Sequence, residues 1–240
     1  MLHCAGTHLL LCFCRLTLLR SNLCLYCVLF CPSDSCQVKL DPNTANKHLV
    51  LSEDNRKVRL VEEEQPYPDH PERFDSYHQV MCGTGLTGRC YWEVEWEGWV
   101  NIGVTYRGIS RRGYSDDCRL GGNNKSWSLE CFNRSFIARH KNRTTAVGVR
   151  SSSSSSSSPP SGRVAVYLDW PAGSLSFYSV SSDALIHLHT FTCTFTEPLY
   201  PVFGLWFELN TGSMLEIQLM DAAPPLSSPF SPSVSLCLME

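Results

Sequence analysis

The sequence predicts an all-β protein, a two-sheet antiparallel β-sandwich with short helical turns. Three observations carry that expectation. Trp92, Val94 and Trp96 alternate with Glu93, Glu95 and Glu97, the period of two that sends successive side chains of a strand to opposite faces. Val164, Val166 and Leu168 repeat the pattern, and Leu175 and Phe177 do so just beyond a Trp170-Pro-Ala-Gly173 turn. Short runs of this kind are separated by turn-rich loops along a chain of 240 residues, a length that suits one such sandwich and buries a substantial core.

Composition narrows the function. Net charge is −3 from 20 basic and 23 acidic residues, with no basic tract, so nucleic acid is not expected as a partner. Seven of the thirteen cysteines crowd into the first 36 residues and the other six are scattered. That distribution reads as a reduced, cytoplasmic protein whose cysteines pack as small hydrophobes. The sequons at Asn124, Asn133 and Asn142 are then unused.

Residues 1–35 form an apolar, Cys-rich leader expected to lie outside the fold. Arg15 and Arg20 interrupt its apolar runs, which disfavours a membrane span. No basic residue precedes Arg15, which disfavours a secretory signal. Cys24-x-x-Cys27, with Cys31 and Cys36 beyond, sits among Leu, Tyr, Val and Phe; a zinc site has polar surroundings and paired ligands around a folded loop, so these cysteines read as incidental. Residues 36–46 run from a short strand into a helical turn starting at Asp41-Pro42. Two short strands follow, around a polar turn at residues 52–56. Glu62, Glu63 and Glu64, then Pro66, Pro68 and Pro71, mark a solvated loop. Residues 88–97 and 99–106, joined at Gly98, are expected to form a β-hairpin. Residues 126–132 place Trp127 and Leu129 on one side and Ser128, Glu130 and Phe132 on the other. After a turn at Asn133-Arg134, residues 135–140 return as a strand. The serines at 151–158 and Pro159-Pro160 offer nothing to bury and read as a flexible surface loop between strands. Strands are expected again at 187–191, 197–203 and 215–219, before a Ser/Pro-rich tail at 221–240.

No nucleophile elbow, phosphate-binding loop or HExxH helix is present in the sequence. His187-x-His189 puts two imidazoles on one strand face, short of the three protein ligands of a catalytic zinc; no metal or cofactor is expected. Glu93, Glu95 and Glu97 give the one enzymatic alternative, a glycan-cleaving or glycan-binding jelly roll. Such carboxylates stand about 6.6 Å apart along a strand, against the roughly 5–5.5 Å of a retaining glycosidase. Alternating Glu is also the wet face of a half-buried strand, and that reading is preferred.

Several ordered motifs carry a family resemblance. Leu40-Asp-Pro42 and Leu51-Ser-Glu-Asp54 resemble the PRY segment. Tyr91-Trp-Glu-Val94 with Ile102-Gly-Val104, then Val166-Tyr-Leu-Asp169 with Gly173-x-Leu-Ser-Phe-Tyr178, and finally Leu199-Tyr-Pro-x-Phe203, resemble the SPRY domain. The resemblance divides the chain into a PRY segment at 36–83 and a SPRY domain at 84–220 with the poly-Ser loop at 151–160. SPRY domains of this kind close tripartite-motif ubiquitin ligases, butyrophilins and NOD-like immune receptors. The resemblance implies a non-catalytic module that binds a protein through loops at one end of the sandwich, with hot spots at the positions of Arg107, Glu130, Phe132 and Phe207. In phosphate-binding members a His stands where this sequence has Val100 or Asn101, which implies that such a ligand is not bound here.

Overall fold

The structure, a computed structural model, describes residues 13–14, 29–30, 34–132, 135–149, 161–181, 185–206 and 215–220. Its strands are β1 (Phe13–Cys14), β2 (Leu29–Phe30), β3 (Leu49–Ser52), β4 (Lys57–Leu60), β5 (Gln79–Met81), β6 (Arg89–Glu97), β7 (Val100–Tyr106) and β8 (Ser126–Phe132). They continue as β9 (Ser135–His140), β10 (Arg143–Val149), β11 (Ser161–Asp169), β12 (Ser174–Val180), β13 (Leu185–Thr192), β14 (Leu199–Leu205) and β15 (Glu216–Met220). β1 and β2 pair only with each other. The rest make a six-stranded sheet, β10-β9-β8-β7-β14-β5, and a seven-stranded sheet, β13-β12-β11-β6-β15-β4-β3. Every pairing within the two sheets is antiparallel. Among the described residues no helix is long and apolar enough to cross a membrane.

The core lies between the sheets and follows the alternation in the sequence. Trp92, Val94 and Trp96 of β6 face Ile102, Leu129 and Phe136 of the other layer, all essentially inaccessible to solvent. The Trp96 ring meets Phe136 edge-on at 6.4 Å. An indole of this kind removes about 200 Å² from water, at most about 5 kcal/mol of transfer free energy. The β11–β12 hairpin forms where the sequence places it, with Leu168 opposite Leu175 and Asp169 opposite Ser174. The Asp41 turn is tighter than expected: the Thr44 amide bonds to the Asp41 carbonyl at 3.0 Å and the Asn43 amide to its carboxylate at 2.9 Å, and no helix develops.

Two expectations are corrected, and one boundary moves. β6 and β7 are not a hairpin: β6 pairs with β11 and β15, β7 with β8 and β14, so Gly98 and Trp99 carry the chain from one sheet to the other. Alternation reports which way a side chain points but not which strand lies alongside. Residues 100–105 are buried on both faces, because residues 107–125 fold over the outer side of the sheet, where Phe74, Met81, Ile109, Leu120 and Val202 make a second small core. The cysteines are not all reduced either. Cys36 and Cys90 form a disulfide with their Cα atoms 5.4 Å apart, since Cys90 points into the core beside Trp92 and Cys36 runs alongside β6. The leader expectation shifts by two residues: Asp34 is buried and Ser35 bridges to Tyr91, so the fold reaches at least to residue 34. The poly-Ser loop, the Asn133-Arg134 turn, the tail and Phe207 lie outside the described residues.

Candidate partner-binding surface

The crossover at Gly98 pushes Trp99 to one end of the six-stranded sheet. The register of β7 with β8, Asn101 opposite Glu130 and Val100 opposite Cys131, brings Phe132 beside it, with ring centroids 4.5 Å apart. Trp206 follows β14, whose Leu205 pairs with Val100. Its amide bonds to the Trp99 carbonyl at 3.1 Å, and its ring lies 5.8 Å from the Trp99 ring. Tyr77 meets Trp206 edge-on at 5.9 Å and Tyr114 at 6.0 Å, and its hydroxyl donates to the Tyr114 carbonyl. The Arg119 guanidinium sits 5.1 Å over Trp206. Burial pushes the Tyr77 phenol up, only partly offset by Arg119, so it remains a donor. Phe132, Trp99, Trp206, Tyr77 and Tyr114 thus make one continuous aromatic run. It ends at Tyr114, which is 78% exposed.

Beneath this run lies Glu130, 5% exposed. Its carboxylate accepts from the Trp99 indole N–H at 3.0 Å and from Arg139 Nη2 at 3.0 Å. Charge-assisted bonds of this kind fix geometry as well as adding energy, so the pair sets the tilt of the indole. Glu130 therefore supports the surface from below. Asn123 stiffens the neighbouring loop, donating to the carbonyls of Asp116, Asp117 and Arg119.

The structure brings Glu130 and Phe132 together and sets Arg107 apart. Arg107 leaves the far end of β7, six residues from Asn101, about 20 Å along the strand. There its guanidinium packs over Tyr200 at 5.5 Å and pairs with Glu72 at 3.5 Å. On the opposite sheet Glu93 is buried, not wet as expected, and accepts from the Tyr91 hydroxyl and from Arg163. Glu95 also accepts from Arg163, directly across the sheet, and its hydrogen bond leads the effects that hold Arg163 above its ordinary value. Both carboxylates are committed to that guanidinium. His187 and His189 have no third ligand: among the described residues no group of three His, Cys, Asp or Glu is arranged to hold a metal.

The profile of the SPRY domain matches residues 89–216, and that of the SPRY-associated domain, PRY, matches residues 38–86. The chain belongs to the PRY–SPRY family. It is 45% identical over 169 residues to stonustoxin subunit beta of Synanceia horrida, covering 70% of this chain and 23% of that one. It is 36% identical over 203 residues to tripartite motif-containing protein 16 of Mus musculus, covering 83% and 34%. The crystal structure of the TRIM65 PSpry domain superposes with a TM-score of 0.65 at 26% identity, covering 78% of this chain and 92% of that one. The chain thus spans about a quarter of the toxin subunit and a third of the tripartite-motif protein.

Within this PRY–SPRY domain, reading the sequence missed Trp99, Trp206, Tyr77, Tyr114 and Arg119 as surface residues. The signal for Trp99 was its place directly after Gly98, at the tip of a turn. Tyr77 and Tyr114 stand 37 residues apart and meet only through the fold, and nothing local marks them.

Proposed function

We propose that this SPRY domain is a non-catalytic recognition module that grips a protein partner with its aromatic end, as the recognition part of a larger protein of the tripartite-motif or innate-immune-receptor type. One observation carries the reading: an unbroken run of five aromatic side chains, open to solvent at Tyr114 and held in place by a buried Glu130–Arg139 pair. Tyr, Trp and Arg are the side chains that dominate interface energetics, and a pre-set indole orders no further on binding. The likeness to a tripartite-motif protein supports the larger context, and the likeness to a toxin subunit places the same module in a different one. The commitment of Glu93 and Glu95 to Arg163 weighs against the glycan alternative.

The test is affinity capture with the full chain as bait. Trp99→Ala, Phe132→Ala and Tyr114→Ala are each expected to weaken capture about thirtyfold, the scale of a 2 kcal/mol hot spot. Ile186→Ala, an exposed apolar residue on β13, is the control and leaves capture unchanged. Undiminished capture by all three aromatic variants, each folded, defeats the proposal.

A further inference from the structure

We infer that the Cys36–Cys90 disulfide is a redox-operated latch: it pins residues 34–36, where the chain enters the domain, onto an open flank of β6, and reduction frees that segment without dismantling the sandwich. β6 is lined along its whole length by β11, from Asp169 opposite Arg89 to Ser161 opposite Glu97. On its other side, among the described residues, β15 reaches from Glu97 to Glu93. The flank of residues 89–91 is left over, and residues 34–36 fill it. Ser35 bridges to Tyr91 in parallel, and the Cys36 amide donates to the Tyr91 carbonyl at 3.1 Å.

Among the described residues, the other contacts of Asp34 and Ser35 are polar. Asp34 lies 3.8 Å from Arg89 and accepts a long bond from the Tyr167 hydroxyl at 3.5 Å, and the Ser35 side chain is exposed. The chain just beyond is anchored independently. Val38 and Leu40 are buried, the Leu40 amide bonds to Asn55 at 2.9 Å, and the Asp41 amide bonds to Met81 at 2.9 Å. The latch therefore stands at the edge of this buried, backbone-bonded stretch of chain, where local opening is expected to stop.

The two sulfurs are unequal. Cys36 is only partly buried, beside a cleft lined by Ser35, Cys36, Lys39, Arg56 and Met220, whereas Cys90 is buried. An external thiolate reaches Cys36 Sγ first. A dithiol reductant forms a mixed disulfide there as the S–S bond breaks, and Cys90 leaves as a thiolate that takes up a proton. The second thiolate of the reductant then closes on the mixed disulfide, so that two electrons pass to the protein, Cys36 is released as a thiol and the reductant departs as its own disulfide. A glutathione disulfide runs the sequence backwards. Opening uncovers main-chain groups of residues 89–91, a short vacant strand position.

The test is hydrogen exchange read by mass spectrometry on the full chain, in glutathione disulfide and after dithiothreitol, with alkylation of free thiols. In the oxidised protein Cys36 and Cys90 resist alkylation and a peptide spanning residues 34–37 exchanges slowly. Reduction is expected to make both cysteines alkylable and to speed exchange of that peptide about tenfold or more, with β7, β8 and β14 unchanged. Cys36→Ser reproduces the reduced exchange pattern in both buffers, with Cys90 alone of the pair alkylated. Alkylation of both cysteines in the oxidising buffer, unchanged exchange at residues 34–37 on reduction, or loss of protection throughout the sandwich would each overturn the latch.

Discussion

At the scale of single residues, burial decides which of the many charge pairs matter. Lys39 and Asp54 are paired in the open, where such contacts contribute little. Glu130 and Arg139 are paired with 6% and 13% of their side chains exposed, where breaking the pair strands a charge. Glu130→Gln keeps the size and an acceptor for the Trp99 indole but leaves Arg139 uncompensated. Urea denaturation should show a loss of about 3 kcal/mol, and a loss below about 0.5 kcal/mol would mean that Arg139 turns out to water. The histidines give a second prediction. Burial holds His140 below its ordinary 6.5, opposed by its bond to the Ser126 carbonyl, and burial likewise lowers His78, His187 and His189. The unfolded chain then binds more protons just below pH 6.5, so stability is complete above that pH and falls as pH drops through it. Denaturation between pH 7.5 and 5.5 should show this slope, shallower in His140→Gln. A slope of opposite sign would mean that the folded state favours the imidazolium, as stacking on Trp127 at 4.7 Å does in principle. The face of Glu130 was legible in the alternation of residues 126–132. Its burial was not, because Trp99 and Arg139, which cover it, come from the Gly98 crossover and from β9.

At the scale of elements, the turn at Gly98 separates what local sequence specifies from what it leaves open. Most strands of the two sheets were legible, because a period of two against a dry core is a local property, whereas β5 and β10 were not expected. The neighbours of β6 were not: its partners β11 and β15 lie more than 60 and 110 residues further on, and a Gly between two apolar runs serves a hairpin and a crossover equally. Crossing between layers makes Gly98 irreplaceable in a way that a hairpin glycine is not. It has φ +86°, and a Cβ there would overlap the Leu215 side chain. Gly113 has nearly the same φ, +91°, but open space around it. Gly113→Ala should therefore cost about 1 kcal/mol, the left-handed backbone alone. Gly98→Ala should cost more than about 3 kcal/mol, because a packed leucine has to move as well. Thermal melts of the two variants decide it, and equal costs would mean that Leu215 yields without resistance.

At the scale of the whole molecule, one covalent bond ties the PRY segment to the centre of the SPRY sheet, and it was the feature least visible in the sequence. Thirteen cysteines, seven of them crowded near the start, pointed to a reduced protein. Cys90 was legible as a core position, two residues from Trp92, but nothing local to Cys36 says that it runs past Tyr91. The bond spans 54 residues, and closing a loop of that size in the unfolded chain corresponds to about 4 kcal/mol in the chain-entropy treatment, with about 2–4 kcal/mol usual in practice. This effect acts on the unfolded ensemble, so it coexists with a reduced protein that keeps its sandwich. Cys36→Ser should accordingly lower the unfolding free energy by about 2–4 kcal/mol. It should also steepen the dependence on urea, because an uncrosslinked denatured chain is more expanded and exposes more surface. Both changes are expected on adding dithiothreitol to the unsubstituted chain, and neither on adding it to Cys36→Ser. A loss of stability with no steepening would place the effect in the folded state, in the contacts of residues 34–36, and not in the loop that the bond closes.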